Sequence, residues 1–355
     1  MPAFWPDGRI STSLCDAEEP AGVMAVQIWL VSVSLQPHSG VSKNLPQKFE
    51  HGNFRPHKSI IGGLMGDQQR IVFINGKFVP ETEASLPIFD RGLLFADAVY
   101  EGFGILDGQI VDFIYHMQRL EQSLAKIAIP ATFTTDSMFA DLMRLIEKNA
   151  IKYGFLYLHV TRGAGDRAYH YHDGYVPNIF AFTQGEKFAV DDMPPAITLH
   201  TVPDLRWARR DIKSTNLLAQ VMAKHAAHEA GDYEALMLDP DGYVTEAGSS
   251  SFFFIKDGDL FVRPVTNEIL HGITRQTMLR VAAQMELRLV DKVYKLDEVL
   301  QADEALITAS SIYVLPVSKI DQHVIADGKA GRFSVALRKA YLETARAEFY
   351  QPQAS

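Results

Sequence analysis

Val244-Thr-Glu-Ala-Gly-Ser-Ser-Ser-Phe-Phe-Phe-Ile255 places one carboxylate, Glu246, at the head of a run apolar enough to be a buried strand. Upstream, Asp211-Ile-Lys-Ser-Thr-Asn-Leu-Leu218 places Lys213 where an extended stretch turns into an apolar helix running to about Ala230. A carboxylate taken out of water needs a specific partner, because an isolated buried charge is costly. A lysine near the positive end of a helix is an unusual choice too, since cations are disfavoured there. Each residue alone has an ordinary explanation: a solvent-exposed acid in a strand-end turn, and a surface lysine at a helix start.

Outward from this pair the chain alternates short strands and helices. Ile71-Val-Phe-Ile-Asn-Gly-Lys-Phe-Val79 reads as a hairpin about Asn75-Gly76. Strands are expected over 97–106, 110–113, 154–162, 178–183, 196–203, 234–238, 244–245 and 251–261. Helices are expected over 116–127, where Met117, Leu120, Leu124 and Ile127 share a face, and over 136–152 and 274–285. Gln184–Pro195 is charged and ends in Pro-Pro, the mark of a linker. The expectation is an α+β protein: a small domain over 67–185, an interdomain linker over 186–196 and a large domain over 197–355, with a cleft between the two. Residues 1–66 mix Pro, Gly, Ser and His without a sustained period and are expected to form a poorly ordered N-terminal extension, either a family-specific arm or sequence upstream of the natural start.

Composition narrows the function classes. The 34 Lys and Arg against 43 Asp and Glu give a net charge of −9, which argues against nucleic acid as a partner. The apolar run from Ala21 to Pro37 is short for a membrane span. It follows Asp16, Glu18 and Glu19, the wrong sign for a secretory signal. One cysteine, Cys15, leaves no internal disulfide and fits a reducing cytoplasm. His170 with His172, and His225 with His228, have no third ligand beside them, so no metal site is expected.

Two further segments bear on chemistry. Leu270-His-Gly-Ile-Thr-Arg275 sets a glycine and a threonine at a helix start, which is either an anion site of free backbone N–H groups or a simple N-cap by Thr274. Arg119, in His116-Met-Gln-Arg-Leu120, either adds a bidentate contact to such an anion or lies on a solvated helix face. A buried acid for a ring nitrogen, a lysine for an imine and an anion cradle for a phosphate together point to pyridoxal 5'-phosphate (PLP).

Six segments in register carry a resemblance. They are Phe89-Asp-Arg-Gly-Leu-Leu-Phe-Ala-Asp-Ala-Val-Tyr-Glu101, His116-Met-Gln-Arg-Leu120, Val160-Thr-Arg-Gly-Ala-Gly-Asp-Arg-Ala-Tyr169, Asp211–Leu218, Thr245–Ser251 and Gly272–Arg275. Over about residues 70 to 345 the chain resembles the fold-type IV PLP enzymes, the class IV aminotransferases, and among them the D-amino-acid aminotransferases. That resemblance implies a transaminase moving an amino group between a D-amino acid such as D-alanine and a 2-oxo acid such as 2-oxoglutarate by a ping-pong mechanism. It implies Lys213 as the covalent anchor and proton carrier, Glu246 on the pyridine nitrogen, Arg119, Ile273, Thr274 and Ser310 on the phosphate, and Leu270 against the ring. Tyr100 and Arg167 would trap the substrate carboxylate, with the Arg167 loop reaching in from the neighbouring subunit of a homodimer.

Two departures stand out. The family's trap usually reads Arg-x-His, whereas here it is Arg167-Ala168-Tyr169, and tyrosine donates a hydrogen bond without positive charge at neutral pH. Ser251 stands where an asparagine is usual. Branched-chain L-amino-acid transaminases, R-selective amine transaminases and aminodeoxychorismate lyases share the fold. The first typically carry Gly-Asn-Tyr after the lysine, where this chain has Thr215-Asn216-Leu217.

Overall fold

The structure, a computed structural model, describes residues 69–185 and 190–352. The expected extension over 1–66 and residues 186–189 of the expected linker lie outside the described residues. What is described is α+β, arranged as two sheets with helices packed on them.

The first sheet begins with β1 (Ile71–Ile74) and β2 (Lys77–Pro80), an antiparallel hairpin. Asn75 and Gly76 between them both take positive φ, the pair of left-handed residues that a two-residue turn demands. After the short α1 (Arg91–Phe95) come β3 (Ala98–Leu106) and β4 (Gln109–Ile110), then α2 (Phe113–Lys126) and α3 (Thr135–Lys148). Strands β5 (Gly154–Thr161) and β6 (Ile179–Gly185) complete an antiparallel sheet in the order β2-β1-β6-β5-β3-β4. The alternation of β3 and β5 turns Val99, Phe103, Ile105, Leu156, Leu158 and Val160 toward Met117, Leu120 and Leu124 of α2 and Leu142 and Leu145 of α3, forming one core. The opposite face of β3 carries Tyr100, Gly102 and Gly104.

The second sheet takes β7 (Ile197–Pro203), α4 (Leu218–Glu229), β8 (Glu234–Leu238), β9 (Val244–Ala247), β10 (Ser251–Lys256) and β11 (Asp259–Val262). After α5 (Ile273–Gln284) follow β12 (Arg288–Asp291), α6 (Leu296–Val299), β13 (Glu304–Ala309), β14 (Tyr313–Ile320), β15 (His323–Val324) and α7 (Arg332–Ala347). The strand order is β12-β11-β10-β13-β14-β7-β8-β9, with β15 on β14. β7 is parallel to both β8 and β14, and α4 carries the chain across from β7 to β8. Helices α5 and α7 bury Met278, Val281, Leu337 and Tyr341 against Phe253, Ile255 and Leu306. Phe252, Phe254 and Ile307 point the other way, into a core with Leu199, Leu236, Tyr294 and Val299.

Three local expectations change. The strand expected over 251–261 is a hairpin, because Asp257-Gly258 turns it with both residues at positive φ. The strand expected over 110–113 ends at Ile110, and α2 starts at Phe113 after Asp112 in the left-handed region. Lys213 does not open α4. That helix starts at Leu218, and the backbone before it is held by the first sheet: the Tyr100 N–H donates to Lys213 O at 3.0 Å and the Thr215 N–H to Ala98 O at 3.1 Å. The lysine is therefore fixed by β3, not by a helix dipole. No described helix is long and apolar enough to cross a membrane.

Candidate active site

A cavity of about 390 Å³ lies between the two sheets. It gathers Lys213, Glu246, Arg119, Leu270, Ile273, Thr274, Ser310 and Tyr100, eight of the ten residues the sequence singled out. Arg167 and Tyr169 do not line it. They stand on the exposed loop after β5, where the Arg167 guanidinium lies beside the paired rings of Phe95 and Tyr169, 5.3 and 5.4 Å from their centres.

Lys213 enters from the strand-like segment docked on β3, with its Nζ 4.2 Å from the centre of the Tyr100 ring. Glu246 comes from β9, whose four residues are all buried. Its Oε1 accepts the Leu270 N–H at 2.6 Å, and its Oε2 accepts from Arg206 Nη1. Arg206 also spans Asp204 through Nε at 3.0 Å and Nη2 at 2.8 Å, and Thr245 Oγ1 donates to the same Asp204 at 2.6 Å. Burial pushes the Glu246 carboxyl above its ordinary value, and the Arg206 guanidinium works against that rise. For Asp204 the balance falls the other way: burial raises it, but Arg206 and Thr245 outweigh burial and hold it below the usual range.

At the far end, Gly272 is the N-cap of α5 and no side chain caps the helix, so its first-turn N–H groups are free. Thr274 is therefore not the N-cap. A Cβ at position 272 would stand 2.7 Å from Ser251 Oγ, so glycine keeps this helix start open to the cavity. Arg119 reaches the same end from α2. It is held by a buried acid, Glu101, through Nε at 2.8 Å and Nη2 at 2.6 Å, and it donates to His271 O at 2.8 Å. His116 Nδ1 meets Glu101 at 2.7 Å, and its Nε2 lies 3.3 Å from Ser310 Oγ. Burial raises the Glu101 carboxyl, but Arg119 and His116 overcome it and bring it to about 2. Burial keeps His116 below the ordinary imidazole value.

Sequence reasoning missed Arg206, Asp204, Glu101 and His116. Glu101 had a signal, a charge inside the apolar Ala98–Leu106 run, and His116 precedes Arg119 by three residues on one helix face. Arg206 had none, because nothing local marks an arginine that will meet an acid forty residues on.

Among the described residues, Ser250 Oγ, Thr308 Oγ1, Gln220 Oε1 and Arg210 Nε are buried without a hydrogen-bond partner, and all four residues line this cavity. Buried polar groups are rarely left unpaired. Four orphans, an uncapped helix start and a buried acid suit a ligand with an anionic end and a protonated ring nitrogen, which is what PLP presents.

Comparison with known proteins agrees. Residues 98–320 match the family model described as amino-transferase class IV. The D-alanine aminotransferase of Bacillus licheniformis is 37% identical over 260 residues, covering 73% of this chain and 92% of that one. The chain belongs to the class IV aminotransferases. The D-alanine aminotransferase of Staphylococcus epidermidis is 34% identical over 271 residues, 76% of this chain and 96% of that one. Among solved structures, the PLP form of the branched-chain amino acid aminotransferase of Thermobaculum terrenum superposes with a TM-score of 0.69 at 24% identity, covering 79% of this chain and 94% of that one. The branched-chain enzyme of Thermoproteus uzoniensis with norvaline gives 0.72 at 21% identity over 79% and 96%. As a class IV aminotransferase the protein is a PLP enzyme that exchanges amino groups between amino acids and 2-oxo acids.

Proposed function

We propose that this aminotransferase acts on D-amino acids, D-alanine among them, with a 2-oxo acid such as 2-oxoglutarate as acceptor. The observation that carries the reading is the assembly of Lys213 and Glu246 in one cavity of a chain 37% identical to a D-alanine aminotransferase. The residues after the lysine, Thr215-Asn216-Leu217 rather than Gly-Asn-Tyr, support the D-series over branched-chain L-amino acids. The single cysteine supports a cytoplasmic setting.

Lys213 would anchor the cofactor, Glu246 would pair with its ring nitrogen, and Arg119, Ile273, Thr274 and Ser310 would hold its phosphate, with Leu270 against the ring. Bound there, PLP supplies an electron sink for the electrons left when the substrate loses its α-proton. Lys213 Nζ takes that proton and returns it on the same face, and the Tyr100 ring beside it limits where the amine can swing. The Arg206 guanidinium, bonded to Glu246, works against the rise that burial imposes and so favours the carboxylate form that would accept from the ring nitrogen. Glu101 fixes the Arg119 fork and balances its charge.

Arg167 and Tyr169 would serve the site of a second subunit. In support, the loops and the short α1 around them expose Ile88, Leu93, Tyr169 and Val176, each 70% or more accessible. A homodimer that buries these residues would bring the Arg167 guanidinium and the Tyr169 hydroxyl to the partner's substrate carboxylate.

The test is a half-reaction screen of the purified yellow protein with D-alanine, L-alanine, D-glutamate, L-leucine and R-phenylethylamine, following loss of the cofactor's visible band. Bleaching by D-alanine and restoration by 2-oxoglutarate is expected. Bleaching by L-leucine alone would overturn the D-series reading. For the shared site, mixed dimers of Lys213→Ala and Arg167→Ala protomers should regain activity that neither homodimer has; no recovery contradicts it.

A further inference from the structure

On the cavity side of β3 the alternating positions are Tyr100, Gly102 and Gly104, so two of three carry no side chain. Gly104 has a plain reason: a Cβ there would stand 2.5 Å from Ser310 O, against the turn after β13. Gly102 has a different one. Its Cβ would stand 2.6 Å from both Cε2 and Cζ of Phe155, the rim of a ring rather than a backbone atom. Phe155 sits on the neighbouring strand opposite Gly104 and leans diagonally across Gly102, and both residues line the cavity. Tyr100, next along the same face, stacks on Tyr157 with ring centres 5.3 Å apart, so this wall is aromatic. Arg119 and Glu246 belong to other walls, each already paired with a buried charge of opposite sign.

We propose that the Phe155 ring, seated on Gly102, is the wall that sets how large an apolar substituent the substrate may carry. A ring lying on a glycine is held by packing alone. It can rotate away from a bulky group, whereas a side chain rooted at position 102 could not leave. The site therefore accepts amino acids with linear apolar or aromatic side chains as well as alanine. This deepens the aminotransferase reading and rests on the cavity being the substrate site. The substitution Gly102→Ala pushes the ring rim toward the cavity and narrows it, while Phe155→Ala removes the wall.

The experiment compares wild type, Gly102→Ala and Phe155→Ala as PLP-loaded proteins, with fold checked by circular dichroism and loading by the bound-cofactor absorbance. Binding of two unreactive carboxylates, propanoate and 3-phenylpropanoate, is titrated by the change in that absorbance. The ratio of kcat/KM for phenylalanine over alanine is measured in parallel with both enantiomers. One group's worth of apolar fit is a factor of roughly 10 to 200. Gly102→Ala should lower the 3-phenylpropanoate to propanoate affinity ratio by about tenfold or more, and Phe155→Ala should shift it in the opposite direction or abolish the effect of the alanine at 102 in the double variant. Unchanged ratios in both single variants overturn the proposal. The binding ratios answer this even if no amino acid tested is turned over, which would instead count against the proposed substrates.

Discussion

Arg206→Leu is the sharpest perturbation available, because this one guanidinium faces two buried acids. The side chains of Asp204, Arg206 and Glu246 are 0%, 5% and 7% exposed. Removing one partner of a buried ion pair costs about 3–5 kcal/mol, since the charge left behind has neither water nor a counter-ion. Arg210, 3.5 Å from Asp204, takes up part of the loss on that side, so about 3 kcal/mol at pH 7.5 is expected. The pH dependence carries the signature. In the wild type the Asp204 carboxyl is held low, so its stabilisation is present above its unfolded value and lost as pH falls through the folded one. Without Arg206, burial is opposed only by Arg210 and Thr245 at Asp204 and by the Leu270 N–H at Glu246, so both acids move up from their wild-type values, Glu246 from one that burial already raises. The folded variant then binds more protons than the folded wild type as pH falls, so its stability relative to the wild type rises in that direction. The deficit should shrink on going from pH 7.5 to pH 5. Urea unfolding at fixed protein and PLP concentration, followed by circular dichroism, measures it. A deficit below about 1 kcal/mol, or one that does not change with pH, would show instead that the cluster behaves as a surface pair.

Other outcomes follow from the same physics. Glu101→Gln leaves Arg119 without its buried counter-charge and should weaken PLP binding by about tenfold to a hundredfold in titrations of the apoprotein. Glu304 caps α7 from a distance, accepting the Phe333 and Ser334 N–H groups at 2.9 and 2.8 Å and the Ser334 hydroxyl at 2.7 Å; Glu304→Ala should cost about 3 kcal/mol in urea unfolding without changing the cofactor spectrum. Gly331→Ala, whose Cβ would strike that same carboxylate, should lose stability by the same route. Gly258→Ala, at φ +81° in the Asp257-Gly258 turn, should cost about 1 kcal/mol in thermal unfolding with activity retained.

The elements most legible in the sequence were those with a local cause. Asn75-Gly76 dictates its hairpin, and the Met117, Leu120 and Leu124 stripe dictates α2. Where the reading slipped, a local signal was outweighed. Within 251–261 the hairpin had a local signal, Asp257-Gly258 between two apolar stretches, which reading the segment as one long strand passed over. Lys213 looked like a helix start because Leu217 and Leu218 follow it, but backbone pairing with Ala98 and Tyr100, more than a hundred positions away, holds it extended. Lys213, Glu246 and the Gly272 helix start were visible because each is odd for its own neighbourhood. Arg206 and Asp204 were not, because their meaning lies in a contact between β9 and the segment after β7 that no periodicity encodes.

Lys213, at the junction of the two sheets, is the lysine proposed to carry the coenzyme. Reduction of the loaded protein with borohydride, followed by proteolysis and mass spectrometry, tests it most directly. A single phosphopyridoxyl mark is expected on the peptide containing Lys213, absent after Lys213→Ala. Stoichiometric labelling of any other lysine would contradict it.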